Sequence, residues 1–196
     1  MLSTVLGVAA FLLYLFYDIN SFRQNRRLPR SFFLLGTILL AAATAVDLTA
    51  ALQCSTFNHV LDWLLLIPAA ISLLALVYCL FFAIPFDETY TKQTGGRSVC
   101  DCGVYALCRH PGIVCFFLFY LFLGIAALPG RLLWNGLLFS CLNLAYAFFQ
   151  DRVTFPKTFC NYENYRETVP FLIPTRASIR KAQNTFVHVH SKEDNP

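Results

Sequence analysis

"WLLLIPAAISLLALVYCLFFAIPF", Trp63 to Phe86, runs for two dozen residues without one charged side chain. A water-soluble domain has no place to bury such a stretch, whereas a helix of ~20 apolar residues crosses the ~30 Å hydrocarbon core of a bilayer. Four more stretches of the same character can be drawn: Leu2 to Tyr17 with a ragged end at Ile19, Phe32 to Leu52, Pro111 to Pro129, and Leu132 to Phe149. The composition agrees, with 57% hydrophobic residues, 13% charged residues and a mean hydropathy of +0.57; ordinary soluble chains carry roughly 25% charged residues. The expected fold is therefore all-α, a polytopic integral membrane protein of five transmembrane helices. No basic segment precedes Leu2 and no small-residue cleavage site precedes Asp18, so the first stretch reads as a retained helix rather than a signal peptide.

Basic residues set the expected orientation, because Lys and Arg near helix ends are held on the cytoplasmic side. Arg23, Arg26, Arg27 and Arg30 follow the first helix, Lys92, Arg97 and Arg109 lie in the third loop, and seven more follow Phe149. Only Arg131 sits on the other side, which puts the N-terminus outside and the C-terminus in the cytoplasm. The net charge of +4 is then a topology signal with some attraction to anionic headgroups, and it gives no reason to expect a nucleic-acid partner. Of the eight cysteines, Cys79, Cys115 and Cys141 fall within spans and Cys100, Cys102, Cys108 and Cys160 on the side where thiols stay reduced, so no structural disulfide is expected.

The chain reads as one membrane domain over residues 1–175, with a docked tail at 150–175 and a polar, mobile end at 176–196. Only Gly130 and Arg131 separate helices four and five, which predicts a helical hairpin. That hairpin brings Arg109-His110-Pro111 beside Gln150-Asp151-Arg152 at the cytoplasmic surface. The stretch "GVYALCRHPG", Gly103 to Gly112, stands at its mouth. Pro111 suits a first helical turn, and the free N–H groups there, with the helix dipole, offer a seat for an anion. The competing reading makes Arg109 a headgroup anchor.

In the tail "NYENYRETVPFLIPT", Asn161 to Thr175, Tyr162 and Tyr165 share a helical face, Pro170 and Pro174 stop the helix, and Phe171, Leu172 and Ile173 can dock on the bundle. Asp47, inside helix two, reads as a structural hydrogen bond to a neighbouring helix, and Asn143 and Tyr146 as polar packing contacts. Cys100, Cys102, Cys108 and His110 lack a standard zinc spacing, so no metal site is assigned. His188 and His190 read as solvated.

The ordered set "GVYALCRHP", "FFQDR" and "YENYRETVPFLIP" resembles the isoprenylcysteine carboxyl methyltransferases and, more broadly, the membrane phospholipid methyltransferases. The similarity covers roughly residues 95–175. It implies S-adenosyl-L-methionine as methyl donor and a lipid or lipidated acceptor entering from the bilayer. Carried over residue by residue, the cofactor segment falls on Arg97, Ser98, Val99 and Cys100, its Gly-Val-Tyr on Gly103, Val104 and Tyr105, and its Arg-His-Pro on Arg109, His110 and Pro111. Gly112 and Ile113 follow, where the family has a variable residue and a tyrosine. The substrate-facing arginine falls on Arg152, with Asp151 beside it as a candidate carboxylate. The family's glutamate run is replaced by "VTFPKTFC", Val153 to Cys160, which holds no acid. Two alternatives stay open: a nicotinamide-dependent reductase of the sterol reductase kind, which shares a similar Arg-His-Pro hairpin, and a non-catalytic relative. The cytoplasmic pieces are too short for a dinucleotide-binding sheet, and "TGGRS", Thr94 to Ser98, is no phosphate fingerprint.

Overall fold

The structure is a computed structural model and describes residues 1–22, 29–54, 57, 59–83 and 98–193. Among these residues the chain is helical and contains no β-strand. In chain order the helices are Leu2–Phe22 (α1), Pro29–Gln53 (α2), Val60–Phe81 (α3), Val104–Leu107 (α4), Pro111–Ala126 (α5) and Arg131–Phe149 (α6). They continue as a π-helical turn at Gln150–Thr154, then Phe155–Thr158 (α7), Tyr162–Thr168 (α8) and Arg176–Glu193 (α9).

Among the described residues, four helical stretches are long and apolar enough to cross a membrane: Leu2–Asn20, Ser31–Gln53, Val60–Phe81 and Arg131–Thr158. On α3, Leu64, Ile67, Ile71 and Leu74 stand at helical spacing and are 53%, 57%, 61% and 69% exposed. Each such side chain favours an apolar medium by ~1.5–3 kcal/mol, which is what the hydrocarbon core of a bilayer offers such a face. The fifth stretch differs from expectation. It stops being helical at Ala126 rather than Pro129 and has 16 residues, about 24 Å at the usual helical rise. A proline at 129 lacks the N–H that would continue the helix, and the chain turns over Ala127–Gly130.

The expected single domain divides into two compact units. The first comprises Met1–Leu73 and Phe116–Thr154, the second Leu74–Cys115 and Phe155–Pro196; the boundaries fall inside α3 and α5. In the first unit α1 packs along α2, and both meet α6. Contacts are close because glycines stand where helices touch. A Cβ on Gly7 would collide with the Phe139 ring, and one on Gly136 would stand 2.8 Å from the Tyr120 Cβ. With no hydrophobic drive between helices in lipid, such close van der Waals approach is what holds them together. Aromatic rings fill the remainder: Phe11 meets Phe116 edge-on at 6.3 Å, and Tyr14 stacks on Tyr146 at 5.9 Å.

In the second unit the segment after Pro174, whose polarity predicts mobility, is helical as α9. The Thr175 N–H donates to Ser178 Oγ at 2.9 Å and the Ser178 N–H returns to Thr175 Oγ1 at 3.2 Å, a reciprocal cap that satisfies two groups at the helix start. Ala182 and Ser178 are buried, and the Gly103 N–H donates to Thr185 Oγ1, so α9 lies on α4.

Substituting Gly136→Leu should overpack the contact with Tyr120 and cost ~1–3 kcal/mol or more. The drop in thermal unfolding temperature in detergent checks it, with Trp134→Leu, at a side chain 73% exposed, as a neutral control.

Candidate functional site

The second unit joins two of the quoted motifs. Gly103 starts the joint: its φ of 57° and ψ of −131° lie where a side chain is strained and glycine is not. The chain turns there into α4 and reaches Cys108 in extended form. Val169 is extended too, so the stretches around residues 109 and 170 run together as a short pairing. The Arg109 N–H donates to Pro170 O at 2.9 Å and the His110 N–H to Phe171 O at 3.3 Å. The Arg109 guanidinium adds bonds to Arg166 O at 2.7 Å and Val169 O at 3.2 Å, and its Cζ lies 5.6 Å from the centre of the Phe171 ring. Arg109 thus binds the carbonyl end of α8, where unsatisfied C=O groups and the negative end of the helix dipole favour a cation.

His110 is buried. Its ring stacks on Phe155 at 5.8 Å and meets Phe171 edge-on at 4.9 Å. Phe155 in turn packs against Phe159 and Tyr162, so the imidazole belongs to a wall of aromatic side chains. Around it the polar groups are used closely. Asn161 stands before α8 but spends its amide on Val99, accepting from the Val99 N–H at 2.7 Å and donating to Val99 O at 3.4 Å. The Tyr165 hydroxyl donates to Tyr105 O at 2.7 Å, and the Tyr105 hydroxyl donates to Cys79 O at 2.8 Å. Burial pushes the Tyr165 phenol above its ordinary value, reinforced by the neighbouring Tyr105 and Cys108 and opposed by Arg109. Burial likewise raises the Cys108 thiol, which keeps it protonated and poorly nucleophilic.

Asp151 and Arg152 lie in the other unit, within the π-helical turn, Asp151 buried at 2% exposure and Arg152 exposed. Extra residues in such a turn shift the facing of the side chains that follow, and these turns gather at functional sites. Here Gln150 and Thr154 share a face with Tyr146, and all three engage the Asp18 carboxyl of α1. Asp18 is 4% exposed, and reading the first span by hydropathy alone placed it at a helix end without a role. Its signal was an acid kept inside the last turns of an apolar helix.

Of the residues expected to hold a cofactor, Val99, Tyr105, Arg109 and His110 are drawn onto the 161–171 tail. Pro111, Gly112 and Ile113 open α5, where a Cβ on Gly112 would stand 3.4 Å from Leu76 Cδ1. Ser98 is exposed, and Arg97 lies outside the described residues. Two expectations need correction. Cys100 and Cys102 are joined by a disulfide, because a non-helical segment brings their Cα atoms to 5.6 Å, a span a disulfide bridges; compartment reasoning did not weigh that local geometry. Second, the N–H groups of Arg109 and His110, just ahead of α5, are bonded to tail carbonyls, so neither belongs to an anion seat at the start of that helix.

Arg109→Ala should lose a charge-assisted clamp worth ~1.5–3 kcal/mol, read as faster tryptic cleavage beyond Arg166, with Arg166→Lys, whose backbone carbonyl keeps the bond, as comparison. A raised phenol gives stability that is full below the ordinary tyrosine value of about 10 and is lost as pH rises beyond it. Tyr165→Phe should therefore cost ~1 kcal/mol at neutral pH and make the alkaline fall in unfolding temperature shallower. Comparison of the chain with protein-family models, curated proteins and solved structures finds no match.

Proposed function

We propose that this chain is an integral membrane methyltransferase dependent on S-adenosyl-L-methionine, acting on a lipid or lipidated acceptor at the cytoplasmic membrane face. The proposal includes five spans, α5 being a short fourth one that forms a hairpin with α6, with the N-terminus outside. The observation that carries it is the bonding of "CRHP" to "YRETVPF": two sequence blocks some sixty residues apart, singled out by their order alone, share four hydrogen bonds through Arg109 and His110. A pairing of that kind explains why both blocks are present together.

The side chains around His110 suit such a donor in kind. A flat heterocycle stacks on aromatic rings, and a sulfonium cation is attracted to their faces; His110, Phe155, Tyr162 and Phe171 supply rings for both. Two acids of that unit are already paired: Asp101 with Lys181 at 2.6 Å and Glu163 with Arg166 at 2.9 Å. When bound, S-adenosyl-L-methionine supplies a methyl group on positively charged sulfur. The protein's own task is then orientation and exclusion of water. Arg152 would hold an anionic acceptor, and a carboxylate arrives ionised at neutral pH and needs no base. For an amine acceptor, buried Asp151 would take the proton. The lipid portion would enter sideways between helices. The acid-free stretch Val153–Cys160 favours the second reading, a non-catalytic relative that keeps the binding wall.

Thermal unfolding with S-adenosylhomocysteine and, separately, reduced nicotinamide dinucleotide separates these readings. The first ligand should raise the unfolding temperature and the second should not; a shift with the nicotinamide alone would mean a reductase, and a shift with neither would mean the non-catalytic relative. Arg152→Ala should weaken turnover of an anionic acceptor more than donor binding, and His110→Ala the reverse. Equal effects would undo that division of roles.

A further inference from the structure

In the first unit, three helices meet at a polar node inside the membrane-spanning part. Asn135 of α6 donates through Nδ2 to Asp47 Oδ2 of α2 at 2.6 Å and to Ser3 Oγ of α1 at 3.1 Å. Its Oδ1 accepts from Thr4 Oγ1 at 2.9 Å. Ser3, Asp47 and Asn135 are 1%, 4% and 7% exposed. One atom of this node is left over: Asp47 Oδ1 is buried and has no hydrogen-bond partner.

An ionised carboxylate with one bare oxygen is expensive inside a low-dielectric bundle, and the usual remedies are a proton, a basic side chain or a bound cation. The described partners of Asp47 contain no Lys or Arg; they are a neutral amide and, through it, two hydroxyls. What the oxygens do offer is lone pairs. Thr4 Oγ1 uses its proton on Asn135 and keeps both lone pairs, Ser3 Oγ accepts one bond and keeps a lone pair, and Asp47 Oδ1 keeps all of its own.

We propose that Asp47 Oδ1, with the hydroxyls of Ser3 and Thr4, binds one small alkali cation between α1 and α2, held from the far side by Asn135. A set of hard oxygen ligands selects such an ion over softer metals. One carboxylate among neutral groups neutralises a single positive charge, so a divalent ion would leave a net charge buried in the bundle. Binding would add to the hydrogen bonds that already join the three helices, and the protein would be more stable with the ion than without it.

The test uses the full chain in nanodiscs of zwitterionic lipid. Binding of radioactive sodium is measured by scintillation proximity, and thermal unfolding is measured in sodium, potassium and choline chloride at equal ionic strength. Saturable sodium binding, displaced by unlabelled sodium or potassium but not by choline, with a matching rise in unfolding temperature, is the expected result. Asp47→Asn, which keeps shape and the bond from Asn135, should abolish binding. Thr4→Val should weaken it about tenfold and remains informative if Asp47→Asn misfolds. Binding that persists in a folded Asp47→Asn protein would overturn the proposal. So would the absence of any alkali-ion response, including stabilisation that follows falling pH alone, which would mean that Asp47 holds a proton.

Discussion

Backbone carbonyls that leave a helix inside a packed unit must find donors, and the second unit is organised around that requirement. The chain between Arg166 and Phe171 leaves α8 and turns extended, freeing oxygens that the helix no longer satisfies. Arg109 and His110 bond four of them. A lysine would keep the charge but lose the planar group whose Cζ lies 5.6 Å from the centre of the Phe171 ring. Once that pairing is made, the imidazole of His110 is carried in against Phe155 and Phe171, and the tyrosine hydroxyls of residues 105 and 165 close the ladder back to the end of α3.

The first unit meets the same cost differently. Along α1 its buried charged and small polar groups gather at two places, Ser3 with Thr4 and Asp18. Each place collects partners from α6 or the turn that follows it: Asn135 for the first, Tyr146 and Gln150 for the second. Between them rings and glycines meet, where Gly7 admits Phe139 and Gly136 admits Tyr120, and the Tyr14 hydroxyl adds a hydrogen bond with Thr37 at 3.2 Å. Asp47 was legible as an intramembrane acid with a structural partner; which partner was not, because Asn135 stands 88 residues away and no periodicity links two helices of different hydropathy.

Several local features were open to sequence reasoning in different degrees. The spans of α1, α2, α3 and α6 follow from hydropathy, since a run of apolar side chains has one stable arrangement in lipid. Pro111 at the start of α5 follows from its missing N–H. Thr175 and Ser178 form a cap whose pattern was present in the chain, yet the polar composition that follows it argued for mobility and outweighed a signal of two residues. Cys100 and Cys102 were judged by compartment, although their separation alone brings them within reach. Asp18 and the π-helical turn were hidden for a physical reason: a helical register shift depends on which partners the shifted side chains find, and Asp18 is supplied by a distant helix.

By itself the sequence determined that this chain is helical and belongs in a bilayer, because the free energy of so many exposed apolar side chains depends on composition and hardly on arrangement. It also picked out Arg109, His110, Tyr105 and Tyr165 as a chemically unusual set. Only the tertiary structure decided what those groups touch. A guanidinium has equal claims on a headgroup, a cofactor carboxylate or a peptide carbonyl, and the choice among them rests on which acceptor the folded chain brings within 3 Å or so of its nitrogens.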